Sequence, residues 1–294
     1  MRFVVYGAGA VGGVIGARLH QGGHDVALIA RGSHLEAIRE RGLRLDTPDG
    51  SAVLELPVAG HPAELDLGDD DVVLLAMKTQ DTAAALTALA GCAPGVPVVC
   101  VQNGVENERL ALRAFERVYG VVVMCPTGHL EPGVVQGFST PVTGLLDIGR
   151  YPTGVDEIAE SVAAAFRAST FESEVRSDVM RWKYRKLVMN LGNAAEALCG
   201  PEARLGDLGR RVTEEGEAVL AAAGIDVATP DEDAQRRGLL EVIDRKQQRR
   251  RTGDEARHGD ARKVAPELLK QRAVSAFTPP GELPGADQCD HGSK

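Results

Sequence analysis

The sequence predicts an α/β protein, a doubly wound and mostly parallel sheet followed by an all-helical C-terminal domain. Three observations carry this. Residues 7–13, GAGAVGG, form a glycine-rich turn between a short apolar run and a helical pattern. Apolar runs of strand length then alternate with helix-forming stretches through the first half of the chain. From about residue 177 the signals become almost wholly helical.

The elements follow in order. Residues 3–6 are apolar without a break, as a strand buried on both faces should be. Gly7 permits the tight turn that ends it, Gly9 lets backbone approach a pyrophosphate, and Gly12 lets the next helix, 11–20, pack close to the strand. That helix start offers free N–H groups and a partial positive charge to an anion. Residues 26–30 form a second strand, and Ser33 with Glu36 suggests a capped helix after it. Residues 43–46 and 52–56 flank Pro48-Asp49-Gly50 and read as a hairpin inserted in the α/β order. Strands are expected at 71–77, 96–101, 118–124, 133–136 and 142–148, with an alanine-rich helix at 81–90. A helix at 155–168 and a last strand at 171–175 close the first domain, residues 1–175. Helices at 179–198, 203–223 and 231–244 belong to a second domain, 176–277. Residues 278–294, opening Thr-Pro-Pro-Gly-Glu-Leu-Pro-Gly, read as a disordered tail.

Composition narrows the function. The 294 residues carry a net charge of −9, which argues against a nucleic-acid binder. No apolar run reaches membrane-spanning length, and the chain enters a strand at once, so a cytoplasmic protein without a signal peptide is expected. The five cysteines are scattered, without a CxxC, and read as reduced thiols with no metal site. The basic stretch 245–263 suits either an acidic partner or a solvated surface.

Three groups of residues can carry chemistry. After the second strand stands Arg31 in place of a carboxylate. An Asp or Glu there would bind the 2′-hydroxyl of NAD, whereas an arginine accommodates the 2′-phosphate of NADP. Ser33 can add a hydroxyl, and a solvated loop arginine is the plain alternative. Lys78 follows the third main strand and Asn103 the fourth, both at carboxyl ends where such sheets bind ligands. Each is also an ordinary loop residue. Lys186, Asn190 and Asn193 fall within roughly 60° of one another on a helix, with Leu187, Met189 and Leu191 pointing elsewhere. Two mid-helix asparagines are unfavourable by propensity. A lysine flanked by two amides can bind and protonate a carbonyl oxygen, although a solvated face explains the same residues. Lys183, one turn earlier, is a rival for the proton-donor role.

Taken together, GAGAVGG, Arg31, Met77-Lys78-Thr79, Gln102-Asn103-Gly104 and the W-K-x-x-K-L-x-x-N run from Trp182 to Asn190 resemble the ketopantoate reductase family over about residues 1–244. The resemblance implies a Rossmann-type domain followed by a helical domain. It implies NADPH-dependent reduction of 2-dehydropantoate to pantoate, a step towards coenzyme A. Gly7, Ala8, Gly9, Ala10, Val11, Gly12 and Arg31 would hold NADPH. Lys78 and Asn103 would line the cofactor and substrate crevice, Lys186 would be the general acid, and Asn190 would help bind the 2-oxo acid.

The chain departs from the family in two places. The family's second asparagine falls where Ala194 stands, and Asn193 is its substitute. After Asp244 the family's substrate-gripping serine and glutamate have no counterpart, and Glu255 does not match well enough to inherit a role. A reductase of another branched 2-oxo acid, or a non-catalytic NADP-binding protein, therefore stays open, as does a homodimer.

Overall fold

The computed structural model describes residues 1–238, all within one compact unit. The expectations for the basic stretch 245–263, the tail 278–294 and the end of the last helix lie outside the described residues.

The first half is built from β1 (Arg2–Tyr6), α1 (Ala10–Gln21), β2 (Val26–Ile29), α2 (Gly32–Arg41), β3 (Leu43–Thr47), β4 (Gly50–Leu54) and β5 (Val58–Ala59). There follow β6 (Asp71–Leu75), α3 (Thr79–Ala90), β7 (Val98–Cys100), α4 (Asn107–Ala111) and β8 (Val118–Met124). Next come β9 (Thr127–Gly128), β10 (Val134–Gly137), β11 (Gly144–Arg150), α5 (Glu157–Ala168) and β12 (Phe171–Glu172). The remaining described elements are helices: α6 (Val179–Cys199), α7 (Pro201–Leu205), α8 (Asp207–Ala222) and α9 (Pro230–Arg237).

The main sheet has eight strands in the order β12-β11-β8-β7-β6-β1-β2-β5. From β5 to β8 every neighbouring pair is parallel; β11 runs antiparallel to β8. The chain leaves β1 towards β2 and later returns to its other side at β6, so the order reverses between β1 and β6. That reversal opens a crevice at the carboxyl ends of the strands.

Each central strand is buried on both faces, which is why its sequence is continuously apolar rather than alternating. Phe3, Val5, Val72 and Leu74 pack on one side with Ile15 and Phe166, whereas Val4, Val73 and Leu75 pack on the other with Leu86, Leu89 and Phe115. Val122 and Met124 of β8 meet Val179 and Trp182 of α6, joining the helical layer to the sheet.

Several expectations need correction. The hairpin of β3 and β4 stands where expected in the chain order, its strands antiparallel, but it lies outside the main sheet. It forms a second, four-stranded sheet in the order β4-β3-β10-β9, with β10 parallel to β3. Helix α1 is held between the two sheets: a Cβ on Gly13 would lie 2.6 Å from Val135 of β10, and one on Gly16 would lie 2.8 Å from Leu28 of β2. Ser33 is not a cap, because α2 already begins at Gly32 with Arg31 before it and no capping side-chain bond. The single helix expected at 203–223 breaks at Gly206, which is extended (ψ −170°) and ends α7 while starting α8.

Candidate active site

The glycine turn is fixed by contacts a larger residue would destroy. Gly7 has φ +102°, and a Cβ there would sit 2.9 Å from the Met77 nitrogen. The first turn of α1 leans so closely on this loop that a Cβ on Gly12 would lie 2.2 Å from the Gly7 carbonyl oxygen. Gly9, by contrast, faces open space, with nothing within 4 Å of the point a Cβ would occupy. The closed sides at Gly7 and Gly12 and the open side at Gly9 make a cradle that fits a pyrophosphate, at a helix start with unpaired N–H groups. His34 ties the loop down. Its Nδ1 accepts from the Gly133 N–H at 2.8 Å, so its Nε2 donates to the Ala8 carbonyl at 2.7 Å. Burial lowers the His34 pKa, the Ala8 bond opposes this, and neighbouring His129 adds to the lowering.

Arg31 stands at the end of β2 with its side chain 82% exposed and its Nη2 3.1 Å from Asp81 Oδ2 of α3. Lys78 is exposed and precedes α3. Both therefore lie at the carboxyl edge of the sheet, beside the glycine turn.

A cleft of about 420 Å³ opens at the same edge, lined by Val11, Asn103, Val123, Met124, Cys125, Pro126, Lys186, Met189, Asn190, Asn193 and Arg237. Five sequence candidates meet here: Val11 from the start of α1, Asn103 after β7, and Lys186, Asn190 and Asn193 from α6. Gly7, Ala8, Gly9, Ala10, Gly12, Arg31 and Lys78 do not line it. Met189 does, so it does not point away from the polar stripe as expected. Val123, Met124, Cys125 and Pro126 went unrecognised, although they occupy the carboxyl end of β8 and the same strand-end rule would have found them. Arg237 carried no local signal.

A buried polar network positions Asn103. Gln102 Nε2 donates to the Met77 carbonyl at 2.7 Å and to Thr82 Oγ1 at 2.9 Å. Thr82 Oγ1 donates to Asn107 Oδ1 at 3.0 Å, and Asn107 Nδ2 donates to the Asn103 carbonyl at 3.1 Å. The loops after β6 and β7 are thus tied together beneath the cleft.

The two lysines of α6 have opposite surroundings. Lys183 is 3% exposed and sits 2.6 Å from Oε1 of fully buried Glu108. It also donates to the carbonyls of Gln102 at 2.8 Å and Val121 at 3.2 Å. Two of the ammonium's three N–H donors go to these carbonyls and the ion pair with Glu108 holds the buried group in place, so Lys183 does not line the cleft. Lys186 lines the cleft and forms no ion pair or hydrogen bond among the described residues. Burial lowers its pKa below the ordinary lysine value, Asp233 opposes this, and Arg237 and Arg204 add to the lowering.

The one thiol in the cleft wall is quiet. Burial pushes the Cys125 thiol up to about 12, against a small opposing effect of Arg18, so it is not the thiolate a nucleophile requires. Among the described residues no cluster of His, Cys, Asp or Glu is arranged to hold a metal, and no helix is long and apolar enough to cross a membrane.

A Rossmann-type sheet with a glycine turn at its switch point, and beside it a cleft holding an unpaired lysine and amides, defines a dinucleotide-dependent oxidoreductase. Residues 3–152, just over half of the chain, match the family model described as "Ketopantoate reductase PanE/ApbA". The chain belongs to this family. It is 36% identical over 245 residues to a 2-dehydropantoate 2-reductase of Halobacterium salinarum, covering 78% of each chain. It is 31% identical over 190 residues to one of Pyrococcus horikoshii, covering 65% of this chain and 61% of that relative's length. The fold matches the crystal structure of a PanE/ApbA family ketopantoate reductase from Ralstonia eutropha JMP134 with a TM-score of 0.69 and 28% identity, over 94% of this chain and 98% of that one.

Proposed function

We propose that this chain reduces 2-dehydropantoate to pantoate with NADPH. The observation that carries the reading is the placement of Lys186. It is unpaired among the described residues, has a lowered pKa, and lines the same cleft as Asn103 at the carboxyl edge of a dinucleotide-binding sheet. The curated relatives named as 2-dehydropantoate 2-reductases support the substrate.

The glycine turn, with Ala8, Ala10 and Val11, would hold the pyrophosphate, and Arg31 and Lys78 would meet the phosphate of the adenosine half. NADPH, when bound, supplies the hydride that turns the C2 carbonyl into a hydroxyl. Lys186 hydrogen-bonds the carbonyl oxygen and donates a proton from Nζ as negative charge develops there, leaving a neutral amine that solvent reprotonates. Burial serves this step by making the proton easier to give up. The ammonium also stabilises the charge as it forms. Asn103, Asn190 and Asn193 orient the substrate with neutral amides, which leave the lysine's charge uncompensated. Lys183 keeps the β7 and β8 ends in register beneath the cleft and does not exchange a proton with substrate.

We place the division between the cofactor and substrate parts at about residue 175, beyond which the described elements are helices only. A cytoplasmic location fits the free thiols Cys92, Cys100, Cys125 and Cys199. NADPH oxidation by the full-length chain with a panel of 2-oxo acids tests the reading. Fastest turnover with 2-dehydropantoate is expected. A clear preference for another branched 2-oxo acid, or NADPH binding without any turnover, would reject it.

A further inference from the structure

Lys186 and the amides account for the carbonyl of a 2-oxo acid but not for its other polar group, the carboxylate. That anion needs a partner in the cleft, and Lys186 is engaged at the carbonyl oxygen. The cleft lining contains one further cation among the described residues, Arg237.

Arg237 is built into place rather than left loose. It is the last residue of α9, and that helix is held at both ends. At its start Thr229 and Glu232 form a reciprocal capping box, and Glu232 receives both ends of the Arg181 guanidinium at 3.0 and 2.8 Å. At its other end Arg236 is buried and clasps Asp147 of β11 at 3.0 and 2.6 Å. Arg237 itself uses only Nε, which donates to Asp233 Oδ2 at 2.7 Å. Asp233 is 2% exposed and belongs to the same helix, so it fixes the plane of the guanidinium. No described residue accepts from Nη1 or Nη2. A guanidinium oriented through Nε, with its terminal nitrogens free at a cleft, presents the parallel N–H pair that matches a carboxylate.

We infer that Arg237 is the carboxylate anchor of the substrate site, receiving a 2-oxo monocarboxylate through Nη1 and Nη2 while Lys186 holds the carbonyl. This rests on the reductase reading and names the residue that selects an acid over a neutral ketone. It also supplies a gripping residue from within the described helices, ahead of the divergent segment after Asp244.

The test compares a 2-oxo acid, 3-methyl-2-oxobutanoate, with its uncharged methyl ester, using the full-length chain and NADPH. The wild type should prefer the acid in kcat/KM, and Arg237→Gln should lower kcat/KM for the acid roughly 10- to 100-fold. Most of that loss should be in KM, and the ester should change less than about threefold. Arg237→Lys, which keeps a countercharge beside Asp233 but not the fork, should fall between. Unchanged NADPH affinity in both variants would show that the loss is not one of folding. Equal wild-type kcat/KM for acid and ester would overturn the inference without recourse to any variant. So would an Arg237→Gln loss shared equally by the two substrates. A wild type that reduces the ester but no 2-oxo acid would reject the reductase reading itself, and the inference with it.

Discussion

The glycine turn after β1 and the polar stripe of α6 lie at one edge of the sheet, yet they are built in opposite ways. The turn is shaped by what is absent. Cβ atoms at Gly7 and Gly12 would collide with the Met77 nitrogen and the Gly7 carbonyl, and the cradle exists because they are missing. The stripe is shaped by charges brought from far along the chain. Lys183 meets Glu108, and α9 is pinned to β11 by Arg236 and Asp147. Close steric fit of backbone against backbone makes the first region; long-range ion pairs make the second. The first should therefore resist changes of surface charge that disturb the second.

The two lysines of α6 give the largest contrast. Lys186→Ala should lower kcat by about 10²- to 10⁴-fold, the usual worth of a general acid, while NADPH binding at the glycine turn stays intact. Because the protonated amine is the active form and its pKa is lowered, kcat should fall as pH rises, at a pH below the ordinary lysine value of about 10.4. Steady-state profiles of the wild type and the variant check this. Persistence of the same alkaline limb in Lys186→Ala would transfer the role elsewhere.

Lys183→Met should instead cost stability, about 3–5 kcal/mol, since it leaves Glu108 buried without its countercharge. The double variant Glu108→Gln with Lys183→Met should recover part of that loss, as removing both charges is far less costly than stranding one. Denaturant titration of the three proteins decides. If Lys183→Met proves as stable as wild type but inactive, Lys183 and not Lys186 meets the substrate.

A smaller effect is expected at the other anchor. Burial pushes the Asp147 pKa up, but the bonds and charges of Arg236 and then Arg176 outweigh it and hold the pKa below the usual carboxylate value. A carboxylate with a depressed folded pKa contributes stability above its unfolded value, near pH 4, and loses it as pH falls through the folded one. Arg236→Met should cost about 1–3 kcal/mol at neutral pH and weaken the acid dependence, with Arg176 still in place to soften both. It should also raise KM for 2-oxo acids by loosening α9. An unfolding midpoint with the wild-type slope below pH 4 would count against Asp147 as the titrating anchor.

The same division explains what the sequence made legible. Gly7, Gly9 and Gly12 could be read because a turn and a helix start are local, and strand-end residues such as Asn103 followed from topology alone. The shared face of Lys186, Asn190 and Asn193 followed from helical geometry, and all three line the cleft. What escaped was set by distant partners. Nothing near Lys183 announces Glu108, whose helix is only five residues long. Nothing near Arg237 announces the cleft, because Asp147, which helps place α9, lies about ninety positions earlier in the chain. The second sheet was missed for a related reason: β3 and β10 pair across about ninety positions, and each strand taken singly looks like a member of the main sheet.

The smallest expected effect sharpens the comparison where the two kinds of construction meet, at Arg31. Its side chain is mostly exposed and pairs with Asp81 at 3.1 Å. An exposed pair of this kind is worth at most about 1 kcal/mol, so it scarcely stabilises the fold. Its consequence is electrostatic. A 2′-phosphate received by the remaining donors of Arg31 would lie near the like charge of the Asp81 carboxylate, a cost that a cofactor with a free 2′-hydroxyl avoids. Asp81→Asn removes the competitor and leaves the arginine, so NADPH should gain up to about fivefold in kcat/KM over NADH. The thermal midpoint should hardly move. The gain should shrink at high salt, because exposed charges about a Debye length apart or more are screened. Measured ratios of the two cofactors at low and high salt test this. A ratio indifferent to Asp81 would mean that Arg31 holds the phosphate in another orientation, or does not hold it at all.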